Sequence, residues 1–543
     1  MNYMKLQPLS QPIYNDFTTD YLFGRGAARN FFTYQPSLGG IEKAAKEYQD
    51  KQAVMSPDLL KQLSRFNQSL GSHQAVTRNL EALAEPNTLV IAAGQQPGLL
   101  TGSLHTIYKI IQVICLCQNL SRNGPTRYVP LFWTASNDHQ QDQADHFQLQ
   151  LPSGAIHRVA LAYQENDKVP YFQVKTVPQF LTVVKENLID HTQDTEFRQQ
   201  IIDTLESSFN QADNLAEWFN LLLAHLFEAY GLVIFDPAVI NVAAYAPQIF
   251  ERMLREPELL HRLTEDAGEL ISAAGYTIQV PPKNNKLPFF IYEDGQRWEV
   301  TYADRIASFN NQAYSFERLA KIIADEPERV SPNVFLRALV QQALFRVVAF
   351  VGGPAETAYH AQLYQAYQAL QLIPPVVIPR WQIFFSDPKC QRLIRRYQLS
   401  WDDLSTEPHR IIYQLLKKHH GAEIEPKCRQ WTEEMEAQLE KLTSLMPEEL
   451  PLWQQRVTQF KQRIEKEWQK LEQQGWAELK KQKSKLEQDL TYLHNAFFPN
   501  NTPAERIYNI FPLLIKYGPD FIPSLIQTMA QQQSGAYLIE WSG

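Results

Sequence analysis

Five short apolar runs constrain this chain more than any other feature of its sequence. They are Thr88–Ala93, Tyr128–Ala135, Gly231–Phe235, Arg346–Val351 and Pro375–Ile378. Each is bounded by turn residues and rich in Val, Ile, Leu or Phe, and none alternates polar with apolar. A strand with one wet face alternates, whereas a strand covered on both faces by helices does not, so the pattern predicts a buried parallel sheet. Helical patterns separate most of the runs, with Ser103–Leu120 after the first and Ala355–Leu370 after the fourth. This is the element order of an α/β fold.

The residues that end each run carry the chemistry. The first leads into Gly94-Gln95-Gln96-Pro97-Gly98 and the second into Ser136-Asn137-Asp138-His139. The third ends in Asp236-Pro237, the fourth in Gly352-Gly353-Pro354 with Glu356 close behind, and the fifth in Pro379-Arg380. In open α/β sheets, ligands bind in the crevice beyond the carboxyl ends of the strands. Amide, carboxylate, imidazole and guanidinium groups are therefore expected to converge on one crevice, which is the signature of an enzyme.

At roughly 150 residues per domain, a 543-residue chain suggests two to four structural units. The α/β core is expected over 1–385, with β-rich insertions at about 147–185 and 275–306. In the second insertion, Asp294-Gly295 between aromatic, β-branched runs is a hairpin signal. The first ninety residues read mainly as helix, with a Pro-punctuated start and a polar helical run from Ile41 to about Leu83. Residues 386–430 read as a helical connector. Over 431–498 apolar residues recur at three- and four-residue steps, as in Val457, Phe460, Ile464, Trp468 and Leu471, the seam of an α-helical coiled coil. The tail, 499–543, regains globular composition and is expected to return to the core.

Lys and Arg number 51 against 59 Asp and Glu, a net charge of -8, so no general attraction to nucleic acid is expected. Four cysteines cannot build a disulfide framework and suit a reducing, cytoplasmic setting. No run approaches the ~18 apolar residues of a membrane span.

Two segments concentrate candidate site residues. Gly94–Lys109 is a strand end, a Gly-rich loop and a helix start, offering Gly94, Gln95, Gln96, Gly98, Thr101, Gly102, His105 and Lys109. Its glycines would let backbone amides approach a ligand, and the helix start favours an anion. An ordinary strand-to-helix turn with packing glycines accounts for the same residues. It is neither GxGxxG nor a Walker loop, so no nucleotide motif follows. The second segment, Asn137–His146, admits three readings. Asp138 and His139 make an acid/base pair in which a near-neutral imidazole takes a proton from an attacking amine. Asp138, His139, Asp142 and His146 make a metal-dependent hydrolase site, although no Cys pair supports a metal. Alternatively, Asn137 or Asp138 simply caps a polar helix. Beyond the fourth and fifth runs, Gly352 and Gly353 precede Glu356, which suits an ammonium group, and Arg380 suits a carboxylate or phosphate. An ordinary strand-end ion pair is the alternative for each.

Several long motifs resemble the cysteine ligase family of bacillithiol biosynthesis, the bacillithiol cysteine-adding enzymes. They include GQQPGLLTGSLHTIYK (Gly94–Lys109), FWTASNDH (Phe132–His139), LAEWFNLLLAHLFEAYGLVIFDP (Leu215–Pro237), SPNVFLRALVQQ (Ser331–Gln342), VAFVGGPAETAYHAQL (Val348–Leu363) and IPR (Ile378–Arg380). The resemblance spans nearly the whole chain. It implies a Rossmann-like core with connecting insertions, a C-terminal coiled coil and a homodimer assembled through it. It also implies a cytoplasmic ligase that joins the carboxyl group of cysteine to the amine of glucosaminyl malate, with no tightly bound cofactor and no metal, and ATP as a co-substrate. In that setting Asp138 and His139 orient the amine and accept its proton. The loop Gly94–Gly98 and the Thr101–Ser103 helix start cradle the anionic group beside Lys109 and Arg380, while Gln95, Gln96, Asn137 and Glu356 recognise polar groups. The chain departs from the family pattern at Asn137 and Gln140, which replace two acids, at Gln382, which replaces a serine, and at Ala338, which replaces a proline. A metal-dependent hydrolase and a non-catalytic coiled-coil scaffold are the competing classes.

Overall fold

The computed structural model describes residues 4–10, 12–51, 55–122, 124–138, 145–161, 169–444, 451–482 and 484–541. All five apolar runs become strands of one sheet: β1 (Thr88–Gln95), β2 (Arg127–Thr134), β3 (Val233–Phe235), β4 (Val347–Gly352) and β5 (Val376–Pro379). Every neighbouring pair is parallel, and the spatial order is 3-2-1-4-5. From β1 the chain winds outward to β3 on one side and from β4 to β5 on the other. The reversal therefore falls between β1 and β4, where the connections leave a crevice at the carboxyl ends.

Burial on both faces explains the absence of alternation. Residues Leu89 to Ala93 of β1 and Val347 to Val351 of β4 are all almost completely buried. Helix α1 (Leu104–Ser121) lies against β1 and β2 and is itself apolar nearly all round, as a helix inside a large core must be. Helix α2 (Val334–Phe345) begins at Asn333, whose side-chain oxygen accepts from the Phe335 and Leu336 amides at 3.1 and 2.9 Å. Helix α3 (Pro354–Gln362) starts immediately beyond β4.

The second insertion is larger than its sequence suggests. Its antiparallel sheet holds Lys286–Glu293, Gln296–Ala303, Ile306–Phe309 and Gln312–Ser315, and closes with Val330–Pro332 against the first strand. The sheet thus runs on past residue 306 because its last strand arrives after an intervening helix, Phe316–Asp325. Asp294-Gly295 forms the two-residue hairpin, at φ of +50° and +72°, with Glu293 paired to Gln296. In the first insertion His146–Gln150 pairs with Ile156–Ala160, and Pro178–His191 is helical.

The N-terminal reading needs two corrections. Met4–Pro8 is a strand, antiparallel to Ala536–Trp541. The polar helical run is three helices, Leu38–Lys51, Pro57–Leu70 and Gln74–Ala82, the second starting at a proline and ending at Gly71.

The chain divides into two compact units. One comprises Met1–Leu149, His157–Phe385 and Glu505–Gly543, and contains both sheets described above. The other comprises Gln150–Ile156 and Ser386–Ala504. In the second unit helices Pro408–Ser444 and Pro451–Gln482 lie side by side, with Lys461 Nζ 3.8 Å from a Glu436 carboxylate oxygen. Residue 430 falls inside the first of these helices. Helix Ser484–Phe497 buries Leu490, Leu493 and Phe497, while Leu452, Phe460 and Leu471 stay exposed.

Candidate active site

A cavity of about 970 Å³ opens at the carboxyl ends of the parallel strands. Its floor is made by residues beyond β1, β2, β4 and β5, and the insertion sheet supplies an apolar wall including Phe289, Phe290 and Trp298. Of the residues expected at the site, Gly94, Gln95, Gln96, His105, Lys109, Asn137, Asp138, Gly353, Glu356 and Arg380 line this one cavity. Gly98, Thr101, Gly102 and Gly352 do not. His139, Gln140 and Asp142 lie outside the described residues.

The loop after β1 explains the first three exclusions. Leu100, Thr101 and Gly102 follow one another at φ of +52°, +71° and +72°. Asn509, from the tail, donates through Nδ2 to the carbonyls of Leu100 (2.6 Å) and Gly102 (2.7 Å). A Cβ on Gly98 would stand 2.7 Å from the Gly102 Cα. These glycines close the loop on itself, the packing role, and Thr101 is fully buried beneath it. At Gly352 a Cβ would press on Phe350 and Glu356 at 3.2 Å, again a packing constraint.

At the strand reversal, Lys109 reaches across from α1. Its ammonium donates to Gly94 O and Gln95 Oε1, both at 2.9 Å, and pairs with Glu356. Glu356 also accepts from the Gly353 amide at 2.7 Å, satisfying the start of α3. Burial lowers the Lys109 pKa, and Glu356 opposes that shift. The ammonium group that Glu356 holds is thus the chain's own. Arg380 is likewise satisfied internally: its guanidinium, 2% exposed, lies 2.5 Å from the fully buried Glu505 carboxylate and donates to Trp381 O at 3.0 Å. The expected clamp on a substrate anion is occupied by Glu505. His105 sits 2.9 Å from Ser103 Oγ, and burial, reinforced by Arg380, Lys109 and Arg506, holds its pKa well below the usual histidine range. It is a neutral imidazole.

The opposite wall is built around Asp138. Its carboxylate accepts from Gln96 Nε2 and lies 3.7 Å from Arg297 Nη1. Arg297 comes from the insertion sheet, stacks on Phe290 with its guanidinium carbon 3.8 Å from the ring centre, and donates to Ser331 Oγ and Pro332 O at 3.1 Å each. Asn137 Nδ2 joins the same Ser331 hydroxyl at 2.8 Å. Beneath this loop Asp236 accepts from Ser136 Oγ, from Asn220 Nδ2 at 2.7 Å and from the Ala238 amide at 2.9 Å, yet burial still raises its pKa. The third strand end therefore supports the Asp138 loop rather than lining the cavity.

Among the described residues there is no cluster of three or more metal-binding side chains. His146 is paired with its neighbour Asp145 at 2.8 Å. The site also includes residues that local sequence reading passes over: Arg297, Arg337, Tyr359 and Arg506. Arg337 carried a readable signal, since it stands one helical turn after the Asn333 cap. Arg506 carried none. Of the departures from the family pattern, Gln382 bonds both the amide and the carbonyl of Ile13 at 2.5 Å, and Ala338 is buried inside α2.

A five-stranded parallel sheet in the order 3-2-1-4-5, with a polar cavity at its reversal, defines a Rossmann-like protein built to hold a small molecule. The family model for Bacillithiol biosynthesis BshC, N-terminal Rossmann-like domain, matches residues 1–381, and that for the BshC C-terminal coiled-coil domain matches 383–541. The chain belongs to the BshC family. Similar curated proteins carry the name "Putative cysteine ligase BshC". That of Desulforamulus reducens is 28% identical over 533 residues, covering 95% of both chains. That of Lysinibacillus sphaericus is 28% identical over 538 residues, 96% of this chain and 97% of the relative. That of Natranaerobius thermophilus is 26% identical over 530 residues, 95% of both. Among the described residues, no helix is long and apolar enough to cross a membrane.

Proposed function

We propose that this protein is a carbon–nitrogen ligase that joins the carboxyl group of cysteine to the amine of glucosaminyl malate, giving bacillithiol. The observation that carries the proposal is the convergence of residues beyond β1, β2, β4 and β5 on one cavity, with Asp138 on one wall and the Lys109–Glu356 pair on the other. The names of the relatives supply the reaction class. A free carboxylate is a poor electrophile, so the cysteine carboxyl group must be activated before an amine attacks it. ATP is the co-substrate proposed for that step, the carboxylate displacing pyrophosphate to give a cysteinyl adenylate from which AMP leaves as the amine attacks. Asp138, oriented by Gln96 and Arg297, accepts the amine proton as the carbon–nitrogen bond forms. His139, assigned from the sequence, shares this role. The helices of the second unit, whose Leu452, Phe460 and Leu471 are exposed, are proposed to pair with those of a second copy.

The test is to incubate the protein with cysteine, glucosaminyl malate and ATP, and to follow the thiol adduct by mass spectrometry. Adduct formation is expected from the wild type. In Asp138→Asn the rate should fall by about 10²–10⁴ with the fold retained, the usual contribution of a positioned acid/base group. No adduct from the wild type, or equal rates from both proteins, contradicts the reading.

A further inference from the structure

The cavity is unevenly charged. Lys109, Arg337, Arg380 and Arg506 all line it. Two of these cations have carboxylates of their own, Lys109 with Glu356 and Arg380 with Glu505. Among the described residues Arg337 and Arg506 form no ion pair with a carboxylate, although Glu505 and Glu356 both act on Arg506 from farther off. Among the described residues Arg337 donates only to the Tyr359 hydroxyl, at 2.6 Å, a phenol that burial pushes up to about 12 and thus keeps neutral. Arg337 also stands beside the end of β1, with Nη1 3.6 Å from where a Gly94 Cβ would be. Arg506 directly follows the buried Glu505, and its charge is felt by His105, while Glu356 acts on Arg506 in turn. His105, held neutral by burial, adds no charge of its own. Two guanidinium charges are therefore left in excess around the strand reversal, Arg337 half-buried and Arg506 exposed.

Guanidinium groups are planar forks suited to carboxylate and phosphate oxygens. A guanidinium that lines a ligand cavity without an ion-paired carboxylate is most simply completed by an anion that arrives with the ligand. We propose that Arg337 and Arg506, not Arg380, are the receptor for a doubly charged oxyanion group of a substrate, a dicarboxylate or a polyphosphate. Which molecule brings that group rests on the ligase reading: the malyl end of the amine substrate, or the phosphates of ATP.

Calorimetric binding of L-malate, glucosaminyl malate and ATP to the wild type, Arg337→Ala, Arg506→Ala and Arg506→Lys distinguishes the sources. At least one of these anions should bind the wild type and weaken ten-fold or more in each alanine variant, with a shallower salt dependence and partial recovery in Arg506→Lys. Cysteine binding should be unchanged. Loss confined to ATP assigns a phosphate receptor, and loss confined to malate and glucosaminyl malate assigns a dicarboxylate receptor. Arg506 is exposed to the cavity, so Arg506→Ala is expected to fold even where Arg337→Ala does not, and its result alone decides. Failure of all three anions to bind the wild type overturns the proposal, as does equal binding by wild type and Arg506→Ala. The two readings fail separately: selective anion binding without adduct formation removes the ligase and keeps the receptor, whereas adduct formation with unchanged KM in Arg506→Ala removes the receptor and keeps the ligase.

Discussion

Arg297 shows how a charged side chain is kept inside an apolar wall. Its guanidinium lies on Phe290, donates to Ser331 and Pro332, and faces Asp138 at 3.7 Å. Replacing it with leucine takes the guanidinium from Pro332 O and leaves Ser331 Oγ with Asn137 as its remaining donor. Arg297→Leu should therefore lose about 1.5–3 kcal/mol of stability, the range for hydrogen bonds to a charged group, measured as a lowered denaturant midpoint. A variant as stable as wild type would show that Phe290 packing alone holds the wall. His360 makes a different prediction. It is buried between Phe350 and Tyr359, its Nε2 has no hydrogen-bond partner among the described residues, and burial lowers its pKa to about 3. The folded protein holds it neutral, while the unfolded chain binds a proton below its ordinary value near 6.5. Its contribution is therefore complete above pH 6.5 and is lost as pH falls toward about 3, at up to about 1.4 kcal/mol per pH unit. Wild-type stability should drop more steeply than that of His360→Phe between pH 6.5 and 5, and parallel curves would contradict this. At this scale the sequence reveals which polar groups gather but not which satisfy one another. Lys109 and Glu356, or Arg380 and Glu505, meet only in three dimensions, so three residues that read as ligand-binding, Lys109, Glu356 and Arg380, pair within the chain.

Among the elements, the five sheet strands were legible because burial on both faces writes itself as an unbroken apolar run. Met4–Pro8 was not, since it is short and polar and its partner, Ala536–Trp541, lies at the other end of the chain. The Gly-rich loop was legible as a loop but not in its role. Its left-handed residues turn backbone carbonyls toward Asn509, and no local pattern marks a partner some four hundred positions away. Asn509→Ala removes the donor to Leu100 and Gly102 and should cost about 1–3 kcal/mol, two ordinary hydrogen bonds at about 0.5–1.5 each. Thermal unfolding tests this: an unchanged Tm would mean that the loop holds its conformation without the tail. The Asp294-Gly295 hairpin was readable because a type I′ turn demands those residue types, whereas the closing strand Val330–Pro332 is too short to signal itself.

For the molecule as a whole, strand order is what the sequence withholds. Each strand end was visible, but the reversal between β1 and β4, which makes Gly94, Gln95, Lys109, Gly353 and Glu356 neighbours, follows from the order 3-2-1-4-5. The family resemblance anticipated a Rossmann-like core, and the sheet explains physically why the motifs sit where they do. The proposed homodimer belongs to this scale: sedimentation should give twice the chain mass, and Phe460→Glu combined with Leu471→Glu should shift it to monomer. A wild-type monomer would contradict it. The central claim is that distant strand ends build one ligand site. Hydrogen–deuterium exchange with and without glucosaminyl malate tests it most directly. Concerted protection is expected of the segments around Gln95–Gln96, Asn137–Asp138 and Gly353–Glu356, and protection confined to other surfaces, or to one of the three alone, would contradict a shared site.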